Sequence, residues 1–196
     1  MAITTEQIKE LRDMTGISVM QCKKALEEAG GDKEKALILL RKKGSDIASK
    51  KSDRTLGAGT VAAYIHSNDT IGAMVELVSE TDFVSKNEEF KKLAYDIAMH
   101  ISAACPTYLS KDEISEEAKQ KATEVFEKEV EGKPEEMKAK ILEGKLASYF
   151  QDKILLEQPF IKNPDLTISQ LIENAIQKFG EKIEVAKFVR FGVLEK

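Results

Sequence analysis

The chain has 196 residues and a net charge of −4, from 30 Lys+Arg against 34 Asp+Glu, with 42% hydrophobic and 33% charged residues. That balance is ordinary for a core-forming protein, and its acidity argues against the basic footprint needed to bind nucleic acid or an anionic membrane. No apolar run approaches the ~20 residues of a membrane span, and Met1–Glu6 has neither a basic nor an apolar export region, so a cytoplasmic protein is expected.

The first 43 residues predict three short helices. Thr4 and Gln7 are spaced as a capping box, followed by Ile8, Leu11 and Met14 at helical intervals and a stop at Thr15-Gly16. Ser18 to Gln21 reads as a second box, opening a helix with Cys22, Ala25, Leu26 and Ala29 on one face; Gly30-Gly31 ends it. Asp32 caps a third helix carrying Ala36, Leu37, Leu39 and Leu40 up to Gly44. Three helices of this size form a bundle resembling ubiquitin-associated domains, marginal alone and suited to binding. Residues 44–55, rich in Ser, Lys, Asp and Arg, read as a solvated linker or a loose helix. Residues 1–54 hold 12 basic and 9 acidic side chains, a balance of +3, which leaves −7 for the rest and suits an acidic patch on a partner or an ordinary solvated surface.

From Leu56 the period changes to two. Thr60–His66 and Ile71–Val78 predict a hairpin across Ser67-Asn68-Asp69, and Ile183–Val193 a third strand. Helices are expected over Lys86–Ser102, after Asp112, past Pro134 towards Leu156, and from a Thr167–Gln170 cap to Gly180. The fold class is therefore α+β: a three-helix bundle over 1–43, a linker over 44–55, and a core over 56–196 with a three-stranded antiparallel sheet and packed helices. Ala62, Tyr64, Met74, Val78, Ala186 and Phe188 give all three strands an apolar second face, so an isologous homodimer through the sheets is expected, without a disulfide.

Chemistry-bearing patterns are sparse. Two cysteines, Cys22 and Cys105, and two histidines, His66 and His100, are isolated from one another, so neither a metal site nor a disulfide framework is expected. A Cys/His nucleophile pair is weakly supported, because both cysteines lie on apolar helical patterns typical of buried thiols. Gly57-Ala58-Gly59-Thr60-Val61-Ala62 superficially matches a dinucleotide fingerprint, but it leads into a strand where the fingerprint must follow one. The acidic residues of 112–136 alternate with lysines as on a solvated helix face. No catalytic residue or cofactor site is expected. Glu80-Thr81-Asp82-Phe83-Val84, at a strand-to-helix turn before a further Ser85–Glu88 box, has two readings. Phe83 and Val84 either staple the helix start from below, or Phe83 projects as an anchor for a partner.

Leu11-Arg12-Asp13-Met14-Thr15-Gly16-Ile17-Ser18-Val19-Met20-Gln21-Cys22-Lys23-Lys24-Ala25-Leu26 resembles the N-terminal signature of the elongation factor Ts family. Glu76–Lys86, with its Thr-Asp-Phe-Val core, resembles the second signature, and Leu155-Leu156-Glu157-Gln158-Pro159-Phe160 a third stretch. The chain departs at Val78, where the family commonly has Asn, and it is similar to the compact form that lacks a second core subdomain and a coiled-coil insertion. The resemblance implies a non-enzymatic guanine-nucleotide exchange factor for elongation factor Tu. It further implies that the N-terminal module docks on the GTPase domain through Leu11, Arg12, Thr15, Gly16, Val19 and Met20. Thr81, Asp82, Phe83 and Val84 would then displace the elements that hold the partner's Mg²⁺. The alternatives are an adaptor that uses only residues 1–43, or a thiol enzyme with Cys22 or Cys105 exposed.

Overall fold

Capping chemistry sets the first helices. In the computed structural model, which describes residues 3–130 and 135–195, Thr4 and Gln7 form a reciprocal capping box at the start of α1 (Thr5–Thr15). Each half satisfies an amide that the first turn leaves without an intrahelical partner. At α2 (Val19–Glu28) the Ser18 hydroxyl accepts from the Gln21 amide, and the reciprocal half of the expected box is not formed. Asp32 caps α3 (Lys33–Lys50). Leu11, Ile17, Cys22, Ala25, Leu26, Ala36 and Leu40 form the small core shared by these helices.

Beyond them come β1 (Ala58–Ile65), β2 (Ile71–Ser79), the single turn α4 (Asp82–Ser85) and α5 (Glu88–Ala104). They are followed by α6 (Glu116–Glu129), α7 (Glu135–Gln151), β3 (Pro159–Phe160), β4 (Asn163–Thr167), α8 (Ile168–Phe179) and β5 (Ile183–Gly192). The fold is α+β. Pro134, which the sequence places just before α7, lies outside the described residues, as do Met1, Ala2 and Lys196. The Thr167–Gln170 box forms as expected. The Ser85–Glu88 box does not: Ser85 belongs to α4, and Asn87 caps α5 by accepting from the Glu89 amide at 2.8 Å. Cys105 is exposed, correcting its expected burial, because it is the left-handed cap beyond α5 and not part of that helix's apolar face.

Helix α3 does not stop at Gly44. A mid-helix Gly costs roughly 0.5–1 kcal/mol against Ala, yet α3 continues through it, with Gly44 buried where α3 packs on α8. A Cβ at Gly44 would stand 3.4 Å from Gln177 Oε1 and 3.7 Å from Glu173 Cβ. One turn on, Ile47 and Ala48 pack against the main core. Of the two readings of residues 44–55, the helical one holds as far as Lys50, where Ile47 and Ala48 wall the core.

The sheet is antiparallel in the order β1–β2–β5. Ala73, Val75 and Leu77 of β2 are buried beneath α5 and α8 with Phe90, Ile97, Ile101, Ile172 and Ile176. The same face carries Ala62 and Tyr64 of β1, whose ring meets Tyr95 edge-on at 5.7 Å between centroids. A bulge against Glu76/Leu77 makes Ala186 an extra residue in β5. Ile183 and Val185 face inward before it, and Phe188 and Arg190 after it, because an extra residue reverses the period-two alternation. The expected second face is thus corrected. Ala62, Tyr64 and Phe188 pack on the core side, Ala186 sits at the bulge, and the outward face carries Val61, Ile65, Met74, Val78, Val189 and Phe191. Gly59 lies in this sheet, where a Cβ would approach Leu77 O to 2.8 Å, which accounts for the glycine pattern without a nucleotide.

His100 of α5 ties the stretch before α8 to the core. Its Nδ1 accepts from the Ile161 amide at 3.3 Å, so Nε2 carries the proton and donates to Gln158 Oε1 at 2.9 Å. The Gln158 amide donates in turn to the Ala104 and Asp152 carbonyls. Burial holds the imidazole below its ordinary titration range, with the Gln158 bond a smaller opposing effect. The unfolded chain therefore takes up this proton at a higher pH than the folded one. Stability should be flat in this group above pH ~6.5 and fall as pH drops below it. Glu173, whose carboxyl is raised by burial, acts in the opposite sense. We expect H100Q to be less stable than the unmodified chain at pH 7 but to lose less stability between pH 7 and 5, measured by urea unfolding at each pH.

Candidate functional site

Strand β2 ends at Ser79 and α5 begins at Glu88, so eight residues turn the chain from sheet to helix. The buried Ser79 hydroxyl donates to the Thr81 carbonyl at 3.0 Å, which also accepts from the Ser85 amide and so starts the α4 turn. Successive residues in a helical turn diverge by about 100°. Val84, 3% exposed, points into the main core, and Phe83, 83% exposed, points away from it. Val84 packs as a staple requires; Phe83 does not. A phenyl ring left in water forgoes roughly 1.5–3 kcal/mol of burial. Asp82 is exposed and paired with Lys86 at 2.6 Å, one turn along. That bond and the ammonium charge hold its carboxyl below the ordinary range.

Contacts from distant segments hold this corner in place. The Thr81 amide donates to Glu181 Oε2 at 3.0 Å and its hydroxyl to Oε1 at 2.6 Å, across 100 residues of sequence. Thr81 is consequently the residue before α4 whose hydroxyl caps no amide of that helix. Next to it, Glu80 accepts from the Lys182 amide at 2.6 Å and from Arg54 at 2.9 Å. The Lys182 bond first, and Arg54 second, keep the Glu80 carboxyl ionised below its usual range. Lys182 Nζ reaches the Ser52 carbonyl, and Lys51 Nζ the Gly180 carbonyl, each at 2.6 Å. Sequence reading missed Arg54, Glu80 and Glu181 in this role, because their local patterns are those of solvated charges.

The N-terminal candidates separate by burial. Leu11 is fully buried in the small core and can serve a partner surface only from beneath, a correction to its expected place in a contact face. Thr15 is half-buried, its hydroxyl donating to the Leu11 carbonyl at 2.7 Å and accepting from the Ile17 amide. Arg12, Gly16, Val19 and Met20 are exposed around the α1–α2 turn, Met20 at 75%. Gly16 makes that turn at φ 68°, where other residues are strained. Cys22 is buried, and burial pushes its thiol up. Among the described residues no three His, Cys, Asp or Glu side chains gather as a metal site, and no helix is long and apolar enough to cross a membrane.

A family model described as Elongation factor TS matches residues 4–195. The chain is 49% identical to Elongation factor Ts of Thermodesulfovibrio yellowstonii, over 98% of this chain and 97% of the relative. It is 48% identical to the protein of the same name from Syntrophus aciditrophicus, over 100% and 98%. With that of Acetivibrio thermocellus the identity is also 48%, over 96% and 89%.

The divergent burial of two neighbours has a measurable consequence. V84A should destabilise the fold by roughly 2 kcal/mol, since it removes buried methyl groups and leaves a cavity. F83A should shift stability by less than ~0.5 kcal/mol, as exposed substitutions do. Urea denaturation of the two variants provides the comparison.

Proposed function

Because the chain belongs to the elongation factor Ts family, we propose that it is a guanine-nucleotide exchange factor for elongation factor Tu, acting in the cytoplasm and breaking no covalent bond. The observation that carries this reading is Phe83, an exposed aromatic ring on a corner anchored from three sides. Large rings that enter a partner's pocket supply much of the energy of such contacts. Exchange follows from linkage: a protein that binds the nucleotide-free partner more tightly weakens nucleotide binding by the same factor. Phe83, with Asp82 beside it and Thr81 and Val84 fixing its base, presses into the GTPase domain and displaces the elements that hold Mg²⁺ and the phosphates. With Mg²⁺ loosened, the charge on the GDP phosphates is less neutralised and dissociation quickens.

Residues 1–43 act as the docking module. Arg12, Thr15, Gly16, Val19 and Met20 form its contact face, and Leu11 supports that face from within. The α+β core from residue 56 onward is the scaffold that holds the corner. F83A should slow GDP release roughly thirtyfold, the equivalent of a hot-spot loss of about 2 kcal/mol, as timed with a fluorescent GDP analogue on elongation factor Tu. Release at the unmodified rate would reject the wedge.

The outward sheet face supports an isologous homodimer. Val61, Ile65, Met74, Val189 and Phe191 are all exposed on it, Phe191 at 68%, crossed by the ion pair Glu76–Lys187 at 3.4 Å. Apolar groups gathered on one face are the usual mark of an interaction surface, and two antiparallel sheets can stack through such faces at about 10 Å. F191D places a charge within that apolar face and should yield monomer. Sedimentation equilibrium at micromolar concentration distinguishes the two, and a monomeric unmodified chain would rule the dimer out.

A further inference from the structure

We infer that Glu181 is a positioning residue for exchange, because it sets the direction in which Phe83 leaves the surface by holding Thr81 through two hydrogen bonds. The inference rests on the exchange reading of the corner. Phe83 is almost wholly exposed and makes no core contact that could fix its own direction. Its orientation is inherited from the backbone of residues 81–84. On the inner side that backbone is anchored by Val84 in the core and by the Ser79 hydroxyl on the Thr81 carbonyl. On the other side it is held by Glu181, whose two carboxylate oxygens take the Thr81 amide at 3.0 Å and hydroxyl at 2.6 Å. Charge-assisted bonds of this kind are short and directional.

The support behind Glu181 is rigid. It follows Gly180, which ends α8 at φ 72°, and α8 is packed on the core through Ile168, Ile172 and Ile176. The same turn is held by Lys51 Nζ on the Gly180 carbonyl and by the Lys182 amide on Glu80. Glu181 thus passes the fixed position of α8 to the first residue of the corner. A glutamine there keeps one acceptor oxygen of the two and an alanine neither.

The test compares E181A, E181Q, F83A and the E181A/F83A double variant in release of a fluorescent GDP analogue from GDP-loaded elongation factor Tu. Both the maximal rate and the half-saturating concentration are read. E181A should lower the maximal rate about tenfold, as a small misplacement of a positioned group does, with half-saturation unchanged because Val19 and Met20 are untouched. E181Q should fall between, and E181A should add nothing to F83A. In the free protein, ¹⁵N order parameters of residues 81–84 should fall in E181A from the rigid value of about 0.85 towards the flexible range. Order parameters that stay rigid overturn the inference whatever the exchange result. So does a normal maximal rate in E181A when F83A is slow, or a raised half-saturation alone, which would make Glu181 a direct contact. A normal rate in F83A refutes the exchange reading itself, and the inference with it.

Discussion

The exposed corner between sheet and helix depends on one buried side chain: within the α4 turn, where neighbours diverge by about 100°, Val84 points into the core and Phe83 away from it. Val84 fills the inward position, in the cluster built from β2, α5 and α8. Phe83, about 100° round the turn, projects into solvent without a cavity or a strained backbone. The apolar core therefore does two things at the same residue pair: it stabilises the fold through Val84 and displays a ring through Phe83. Of the segment's two side chains, Val84 packs as the staple reading requires and the Phe83 ring is left exposed.

The corner also gathers segments that are far apart along the chain. Arg54 arrives from the segment after α3, Glu80 from the residue just past β2, and Glu181 and Lys182 from the turn after α8. Each pair is exposed or partly so, and exposed pairs contribute little to global stability. Their effect is geometric. Hydrogen bonds from three directions fix a four-residue turn that could not hold itself, since isolated single turns are unstable in water.

Much of this was legible from residues alone, where a local cause acts. Thr4 and Gln7, Thr167 and Gln170, and the apolar face of α5 follow from capping and periodicity, which need only neighbours within one or two turns. The failures have non-local causes. Gly44 is a helix stop by propensity, yet α3 runs on past it, with Ile47 and Ala48 packed on the main core. Ala186 looks like any strand residue, and only pairing with β2 makes it a bulge that reverses the facing of Phe188 and Phe191. Cys105 shares the composition of α5 but falls one residue beyond its last turn. The Thr81–Glu181 contact, closing a loop of 100 residues, leaves no trace in either local segment. The ring and the acid of the corner could be found in the sequence; what aims them could not.

If the bundle and the corner both engage elongation factor Tu, as proposed, the unbroken course of α3 changes the thermodynamics of that recognition. A flexible tether would leave the bundle and the corner to find their sites separately, the second at an effective concentration set by linker length. Here one helix belongs to both the small core, through Ala36 and Leu40, and the large one, through Ile47 and Ala48. The distance between Met20 and Phe83 is thereby fixed when the chain folds. On that proposed two-point engagement, the ordering entropy would be met during folding and not at the encounter, leaving more of the contact energy to act on the bound partner.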